Sequence, residues 1–355
     1  MTRLAEDYDY VIGGDPDRDT IDLAVLDTAT GSVRAHIEAT ADGPGYSRML
    51  EWARKQAPGR RVWALEGTGS FAAGLAKELA QAAEHVVEIG SLKRSRGAKN
   101  DRLDAVRAAR TAMAREHQAS PRIRGLREAI RALAATRQAV LVSRTKAINE
   151  LKSLIVIAPE QLRAPLRGRP LANQLGLIES MTIAAGAGVE QRITMLTLQS
   201  ITARIRFLTG QLADIDPELA CLIQAHPAGP ALLAEPGVGP VVAAQLLISW
   251  SHPGRVRSEA AFASLAGVAP LEASSGQRTR HRLNRGGDRA LNRALHTVAI
   301  TRIRCHAETR AYEARRTLQG KTHRDIRRCL KRAIARHLYR VMESTAASSR
   351  EPGHR

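Results

Sequence analysis

The 355-residue sequence predicts an α/β front domain, a long helical middle and a mostly α-helical back domain that contains a helix-hairpin-helix. Three observations predict it. Short apolar runs bounded by turn residues alternate with helical spacing over the first 115 residues. Beyond Pro121 the apolar residues recur every three or four positions in two long stretches. From His226 onward, helical stretches are joined by a glycine-proline turn and an arginine-rich run. The chain is long enough for two or three domains, and with 44% hydrophobic and 25% charged residues most of it should fold.

In the front part (1–115), YVIGGD from Tyr10, TIDLAVLD, a turn at Thr30 and Gly31 and SVRAHIEAT read as successive strands of a meander. RVWALEG at 61–67 is another strand, SFAAGLAKELAQAA has helical spacing, and HVVEIG at 85–90 is a further strand, so a central sheet is expected. Asp15 follows the first strand and Glu66 ends a later one. Asp101 and Asp104 stand three apart in KNDRLDAVRAAR, which puts them on one helix face. Any single one of these acids reads first as a solvated surface charge. Their common placement at strand ends and on one helix face makes them a candidate Mg²⁺ site, since that ion takes hard carboxylate oxygens and can clamp a phosphate. Asp17 and Asp19 read as turn residues.

In the middle part (116–225), Leu126, Ile130, Leu133, Val140, Leu151 and Leu154 fall near a seven-residue repeat. Leu198, Ile201, Ile205, Leu208 and Leu212 repeat the pattern after a Pro- and Gly-containing stretch at 158–188. An antiparallel coiled-coil arm, an oligomerisation coil and an intramolecular helical hairpin all satisfy this spacing.

The back part (226–345) opens with LLAEPGVGPVVAAQLL. Gly237 and Gly239 in its turn would let backbone N–H groups approach a phosphate at a helix N-terminus, although a Gly-Pro turn between helices is common in any fold. Ser274, Ser275 and Gly276 then precede Arg278, Arg280, Arg282 and Arg285. A serine becomes a nucleophile toward a phosphate when clustered guanidiniums polarise the target, but Ser-Ser-Gly is also an ordinary loop sequence. Helices are expected from Asp288 to about Ser344, and a disordered tail over 346–355.

The net charge of +19 points to a polyanionic partner, which for a soluble chain usually means nucleic acid. Residues 1–115, 116–225 and 226–355 carry surpluses of 0, +5 and +14, so the front would hold chemistry and the back phosphate contacts. Aromatic residues, at 3%, are too few for a reader that stacks single-stranded bases. Cys221, Cys305 and Cys329 form no CxxC pair, and the histidines, His226, His252 and His281 among them, have no metal-ligand spacing. GVGPVV lacks the Lys-Ser/Thr of a nucleotide-binding loop, which argues against ATP dependence. No apolar run suits a membrane, and Met1–Tyr10 is not a signal peptide, so a cytoplasmic, nucleoid-associated protein is expected; the wealth of Ala and Arg suggests a GC-rich bacterial host.

Six segments, in order, resemble the insertion-sequence 110 transposases, the DEDD or bridge-RNA-guided recombinases: GGDPDRDT, ALEGTGSFAAGLAKEL, KNDRLDA, EPGVGPVVAAQLL, FASLAGVAPLEASSG and NRGGDRALNRALH. The resemblance spans nearly the whole chain. It implies a RuvC-like front domain of RNase H fold whose Asp15, Glu66, Asp101 and Asp104 bind Mg²⁺. It also implies a transposase domain whose Ser275 becomes covalently linked to DNA. Acids of one subunit would meet the serine of another, which requires a dimer or tetramer, and the partners would be donor and target DNA and a structured bridge RNA. Gly14 stands where the family usually has Ile or Val, and Lys-Asn-Asp replaces Lys-Thr-Asp; neither removes a ligand. Ser275 rather than Ser274 matches the family's serine because it directly precedes the glycine. Two other readings fit parts of the pattern: a RuvC-like, metal-dependent junction nuclease, and a non-catalytic nucleic-acid-binding protein.

Overall fold

A computed structural model describes residues 4–90, 101–115, 118–272, 281–282, 284 and 286–348; for Asp101, Glu272, His281, Arg282 and 346–348 it describes the backbone alone. The chain divides into two compact units, residues 1–123 with 254–256, and residues 124–253 with 257–355.

The first unit contains α1 (Leu4–Asp7), β1 (Tyr10–Pro16), β2 (Thr20–Asp27), β3 (Val33–Thr40), α2 (Gly43–Gln56), β4 (Arg61–Glu66), α3 (Ala73–Gln81), β5 (His85–Ile89) and α4 (Asp101–Ala114). Its five-stranded sheet has the order β3-β2-β1-β4-β5. The first three strands form the expected antiparallel meander, while β4 runs parallel to β1 and β5 parallel to β4. Both faces are covered, which is why the central strands read as continuous apolar runs. On one face Ile12, Leu23, Val25, Trp63 and Leu65 pack with Met49 of α2 and with Leu75 and Leu79 of α3. On the other, Val11, Ala24, Leu26, Val62, Ala64 and Val87 pack with Ala105, Ala108, Ala109 and Ala112 of α4. Sequence reading did not find α2. Its signal was Asp42, an N-cap accepting from Gly45 N at 2.8 Å, followed by Pro44 in the first turn.

Gly13 decides how closely α4 can lie on the sheet. A Cβ there would stand 2.1 Å from the carbonyl oxygen of Ala105 and 2.5 Å from the amide nitrogen of Ala109, so the helix backbone occupies the space of the missing side chain.

The second unit is almost entirely helical. Its first half holds α5 (Leu126–Ile157), α6 (Glu160–Arg163), α7 (Leu171–Ser180) and α8 (Val189–Ala225), and α8 runs on through Pro217. Helices α5 and α8 pack antiparallel on each other within one chain. Arg137 Nη2 donates to Asp216 at 3.3 Å, Arg144 Nε to Thr209 Oγ1 at 2.8 Å, and Arg204 pairs with Glu150. Within one chain the two helices therefore form an antiparallel hairpin, one of the arrangements that the spacing allows. Its seam buries Ala147, Leu151 and Ile155 against Leu198, Ile201 and Ile205, with Leu154 half-buried against the same core. The stretch at 158–188 is not a bare connection either: Leu162, Leu166, Leu175 and Ile178 complete this core.

The rest of the unit comprises α9 (Gly229–Leu233), α10 (Pro240–Trp250), α11 (Glu259–Leu265), a short antiparallel pair of β6 (Leu271–Glu272) and β7 (His281–Arg282), α12 (Arg289–Cys305), α13 (Ala307–Leu318) and α14 (His323–Ser348). Helix α10 packs against α5, α8 and α12, and α14 packs against α11 and α12. The segment before the Pro-Gly-Val-Gly-Pro turn is a single short helix of 5 residues. Among the described residues no helix is long and apolar enough to cross a membrane.

Candidate functional site

The acids of the first unit follow from strand register. Gly14 lies opposite Leu65 in the parallel pair of β1 and β4, so the next step along both strands sets Asp15 beside Glu66. Side chains alternate across a strand, and Val11 and Gly13 face α4, so Asp15 faces the same side. Ala64 and Glu66 share that parity on β4. Directly across from Asp15 in the antiparallel register is Asp22 of β2, which is buried, and across from Asp22 is Glu38 of β3, which is exposed. An acidic row thus crosses four strands on the face covered by α4. Sequence reading named Asp15 and Glu66 but missed Asp22, whose place in an apolar strand, TIDLAVLD, was the available signal.

Asp104 is one residue before Ala105, the residue whose backbone lies against Gly13, so the close helix-strand contact holds it near the end of β1. It forms an ion pair with Arg107 one turn on. Asp101 is the first residue of α4, and its side chain lies outside the described residues. Just beyond β4, Gly67 has φ +63 and Thr68 is buried, its hydroxyl without a hydrogen-bond partner among the described residues. Carboxylate oxygens and a hydroxyl are donors of the hard type that Mg²⁺ takes, so the chemistry of the set fits that ion. Among the described residues, however, no three of His, Cys, Asp and Glu stand close enough together to hold a metal.

A second candidate site lies in the other unit and was not read from the sequence. Two glycine motifs meet there. Gly267, with φ +65, follows α11, and a Cβ on Gly287 would stand 2.3 Å from its amide nitrogen. The crossing is tied by Asp288 N to Leu265 O at 2.7 Å and by Asn292 Nδ2 to Ala266 O at 2.7 Å. Asp288 also caps α12, accepting from Ala290 N at 2.9 Å and Leu291 N at 3.0 Å, while Ser249 donates to its other oxygen at 2.7 Å. The segments AGVAP and NRGGD, separate in sequence, are therefore one structural joint.

A cleft of about 1240 Å³ opens beside this joint, between α12 and the first half of α14. Arg289, Arg293 and His296 line it from α12, and Arg324, Arg327 and Lys331 from α14. Lys331 Nζ donates to Asn292 Oδ1, and burial pushes its ammonium below the ordinary lysine value. Burial, reinforced by Lys331 and Arg327, pushes His296 below the ordinary histidine value. An adjoining cavity of about 430 Å³ shares Gly267, Asn292, Arg328 and Lys331 and is bounded also by Pro270, immediately before β6.

Of the phosphate contacts expected in this part, Arg278, Arg280 and Arg285 lie outside the described residues, as do Ser274 and Ser275, and Arg282 is described only as backbone of β7. Gly237 has φ +79, and a Cβ there would come within 3.2 Å of Val298 O in α12, which is a packing reason for glycine. Gly239 is the N-cap of α10 and a Cβ there would meet open space.

Comparison with known proteins bears on both sites. A model of DEDD-type IS110 proteins, described as a transposase, matches residues 12–158, the stretch holding Asp15, Glu66, Asp101 and Asp104. A second model, described as the transposase IS116/IS110/IS902 family, matches residues 230–314, which include Gly237, Ser275 and α12. The chain is 30% identical over 164 residues to the "Insertion element IS110 uncharacterized 43.6 kDa protein" of Streptomyces coelicolor, covering 45% of this chain but only 40% of that relative's length. It is 27% identical over 265 residues to a "Probable family 20 transposase" of Pseudomonas aeruginosa, covering 73% of this chain and 75% of the relative. With both models matched in separate halves and relatives of the same kind, the chain belongs to the IS110 family of transposases.

Proposed function

We propose that this protein is a DNA recombinase that moves an insertion element by strand cleavage and exchange, guided by a structured RNA from the element's own flank. The observation that carries the reading is the acidic row at the ends of adjacent parallel strands, with Asp104 in the first turn of α4, all within the stretch matched by the DEDD transposase model. The strand order and directions of the sheet support a RuvC-like domain of RNase H type. Asp15, Glu66, Asp101 and Asp104 would hold Mg²⁺, which when bound neutralises charge on a phosphate.

Ser275 is the nucleophile. Its hydroxyl oxygen forms a bond to phosphorus as the bond from phosphorus to the neighbouring deoxyribose oxygen breaks, and the proton from serine ends on that sugar hydroxyl. Attack by the hydroxyl of the incoming strand reverses these changes and frees the serine. One phosphoester is kept throughout, so no ATP is consumed. Arg278, Arg280, Arg282 and Arg285 would stabilise the charge that crowds onto phosphorus, and the backbone at Gly237 and Gly239 would contact a neighbouring phosphate.

The acids and the serine come from different subunits of a dimer or tetramer. Exposed apolar side chains on the helical hairpin, Val156 and Ile157 of α5 and Val189, Ile193 and Leu196 of α8, support assembly through this coiled-coil segment. The excess of basic residues in the back part suits binding of DNA and RNA together.

The test is a denaturing gel of end-labelled DNA incubated with protein, RNA from the element's flank and Mg²⁺. A protease-sensitive, slowly migrating DNA species is expected, absent with Ser275→Ala and retained with Ser274→Ala. Hydrolysed ends formed at normal rate by Ser275→Ala would make water the nucleophile and the protein a junction nuclease.

A further inference from the structure

We propose that the cleft between α12 and α14 holds the sugar-phosphate backbone of the DNA strand being exchanged. The choice of DNA rests on the recombinase reading. The choice of a polyphosphate ligand rests on the cleft itself.

Four guanidiniums, those of Arg289, Arg293, Arg324 and Arg327, line the cleft without a carboxylate partner among the described residues. Some arginines elsewhere in this unit are paired, Arg302 with Glu235 at 2.9 Å and Arg131 with Glu128 at 2.6 Å, but, among the described residues, none of the four in the cleft is. Gathering like charges in a concave surface costs folding energy that only an anion repays. The spacing makes the gathering deliberate. Arg289, Arg293 and His296 fall four and three apart on α12, and Arg324, Arg327 and Lys331 three and four apart on α14, so each helix offers one cationic edge to the same cleft.

Lys331 identifies the floor. Its ammonium has the neutral oxygen of Asn292 for a partner, and Asn292 is fixed by the carbonyl of Ala266, so among the described residues no charged acceptor meets it. A phosphate oxygen supplies one and restores the stability of the charged form. His296, which lines the same cleft, can donate a hydrogen bond to a second phosphate oxygen. At about 1240 Å³ the cleft exceeds the need of a single ion and accommodates several linked nucleotides. The adjoining cavity brings Val268 and Pro270 to the same groove, apolar surface suited to a deoxyribose face.

The measurement is the affinity of the full-length protein for a fluorescent DNA duplex as a function of salt. Each phosphate contact contributes about 0.9 to the slope of log K against log salt. Arg293→Gln, Arg327→Gln and Lys331→Gln combined should flatten the slope by about two to three and weaken binding more than tenfold at about 0.15 M salt. A control removing three exposed cations of α5 and α8, Lys146→Gln, Lys152→Gln and Arg192→Gln, should leave the slope within about half a unit. If the triple cleft variant does not fold, the pair Arg293→Gln and Arg327→Gln, both exposed, decides with a loss of about two. An unchanged slope, an equal loss in the control, or a loss seen with RNA but not DNA overturns the proposal. Ser275→Ala run on the gel described above tests the recombinase separately: free hydrolysed ends there, together with a flattened slope in the cleft variant, would leave a DNA-binding cleft in an enzyme of a different mechanism.

Discussion

Glu84, beside the sheet of the first unit, and Lys331, on the floor of the cleft in the second, are both partly hidden ionic groups, and their surroundings treat them in opposite ways. Glu84 accepts hydrogen bonds from Arg61 Nε at 2.9 Å and Trp63 Nε1 at 3.0 Å. Burial pushes its carboxyl up, but those bonds and the guanidinium charge outweigh it and hold the group below the usual glutamate value. The same economy recurs at Glu88, which takes Arg122 at 3.2 Å and Arg255 at 2.8 Å. Among the described residues Lys331 has only the amide oxygen of Asn292. Charges closed on one another within the fold contribute to stability, whereas charges held against neutral partners are available to a ligand.

The largest effect should fall on chemistry rather than folding. Asp15→Asn or Glu66→Gln should abolish DNA cleavage on the gel while DNA affinity stays within about twofold, because the phosphate contacts lie in the basic part of the chain. Cleavage at wild-type rate by both would remove the acidic row from the active site. Asp22→Asn sharpens this, since Asp22 shares the row without belonging to the set the family resemblance implies; a loss of cleavage with an unchanged urea midpoint would add it to the machinery.

Next in size is Gly13→Ala. The added methyl meets helix backbone rather than a movable side chain, so unfolding free energy should fall by about 3 kcal/mol in urea titrations followed by circular dichroism. A change below about 1 kcal/mol would mean that α4 lies farther from β1 than described.

Glu84→Gln tests the closed charge and should cost about 2 kcal/mol at pH 7. Because the folded carboxyl is held below its ordinary value, its contribution is complete above the unfolded pKa and is lost as pH falls through the folded one. The difference between wild type and variant should therefore be constant near neutrality and shrink below about pH 4. A difference independent of pH down to about pH 3 would assign the loss to packing instead.

Smallest is Gly239→Ala. Its φ of −99 suits any residue and a Cβ meets open space, so stability should change by less than about 1 kcal/mol. A several-fold drop in DNA affinity without that stability change would support a backbone-phosphate contact at α10; unchanged affinity would leave Gly239 as a turn residue.

Much of this was legible in the chain. YVIGGD, TIDLAVLD and RVWALE announced strands, and two of them carried their acid at the end where it is found, because alternation along a strand is a local property. The helical hairpin was legible as periodicity but not as a partner choice, since residues three and four apart mark a face without saying what covers it. Helix α2 was passed over because its sequence, GPGYSRMLEWARKQ, holds two glycines and a proline and only its cap betrays it. In the back part the arginines after Ser275 cluster within a few residues of one loop sequence, whereas those of RALNRALH and THRDIRRCLKR are spread at helical spacing along two helices that only packing brings together.

The sequence by itself determined most of the helices and strands, the positions of Asp15, Glu66, Asp101 and Asp104 along them, the charge gradient and the family. Only the tertiary structure decided that Gly13 admits α4 to the sheet, that Asp22 joins the acidic row, that α5 finds α8 in its own chain, and that arginines of α12 and α14 face one cleft. The reason is physical: backbone geometry fixes which residues of one element share a face, but which faces meet is settled by packing between segments far apart in sequence, and in this protein the glycines set how closely they approach.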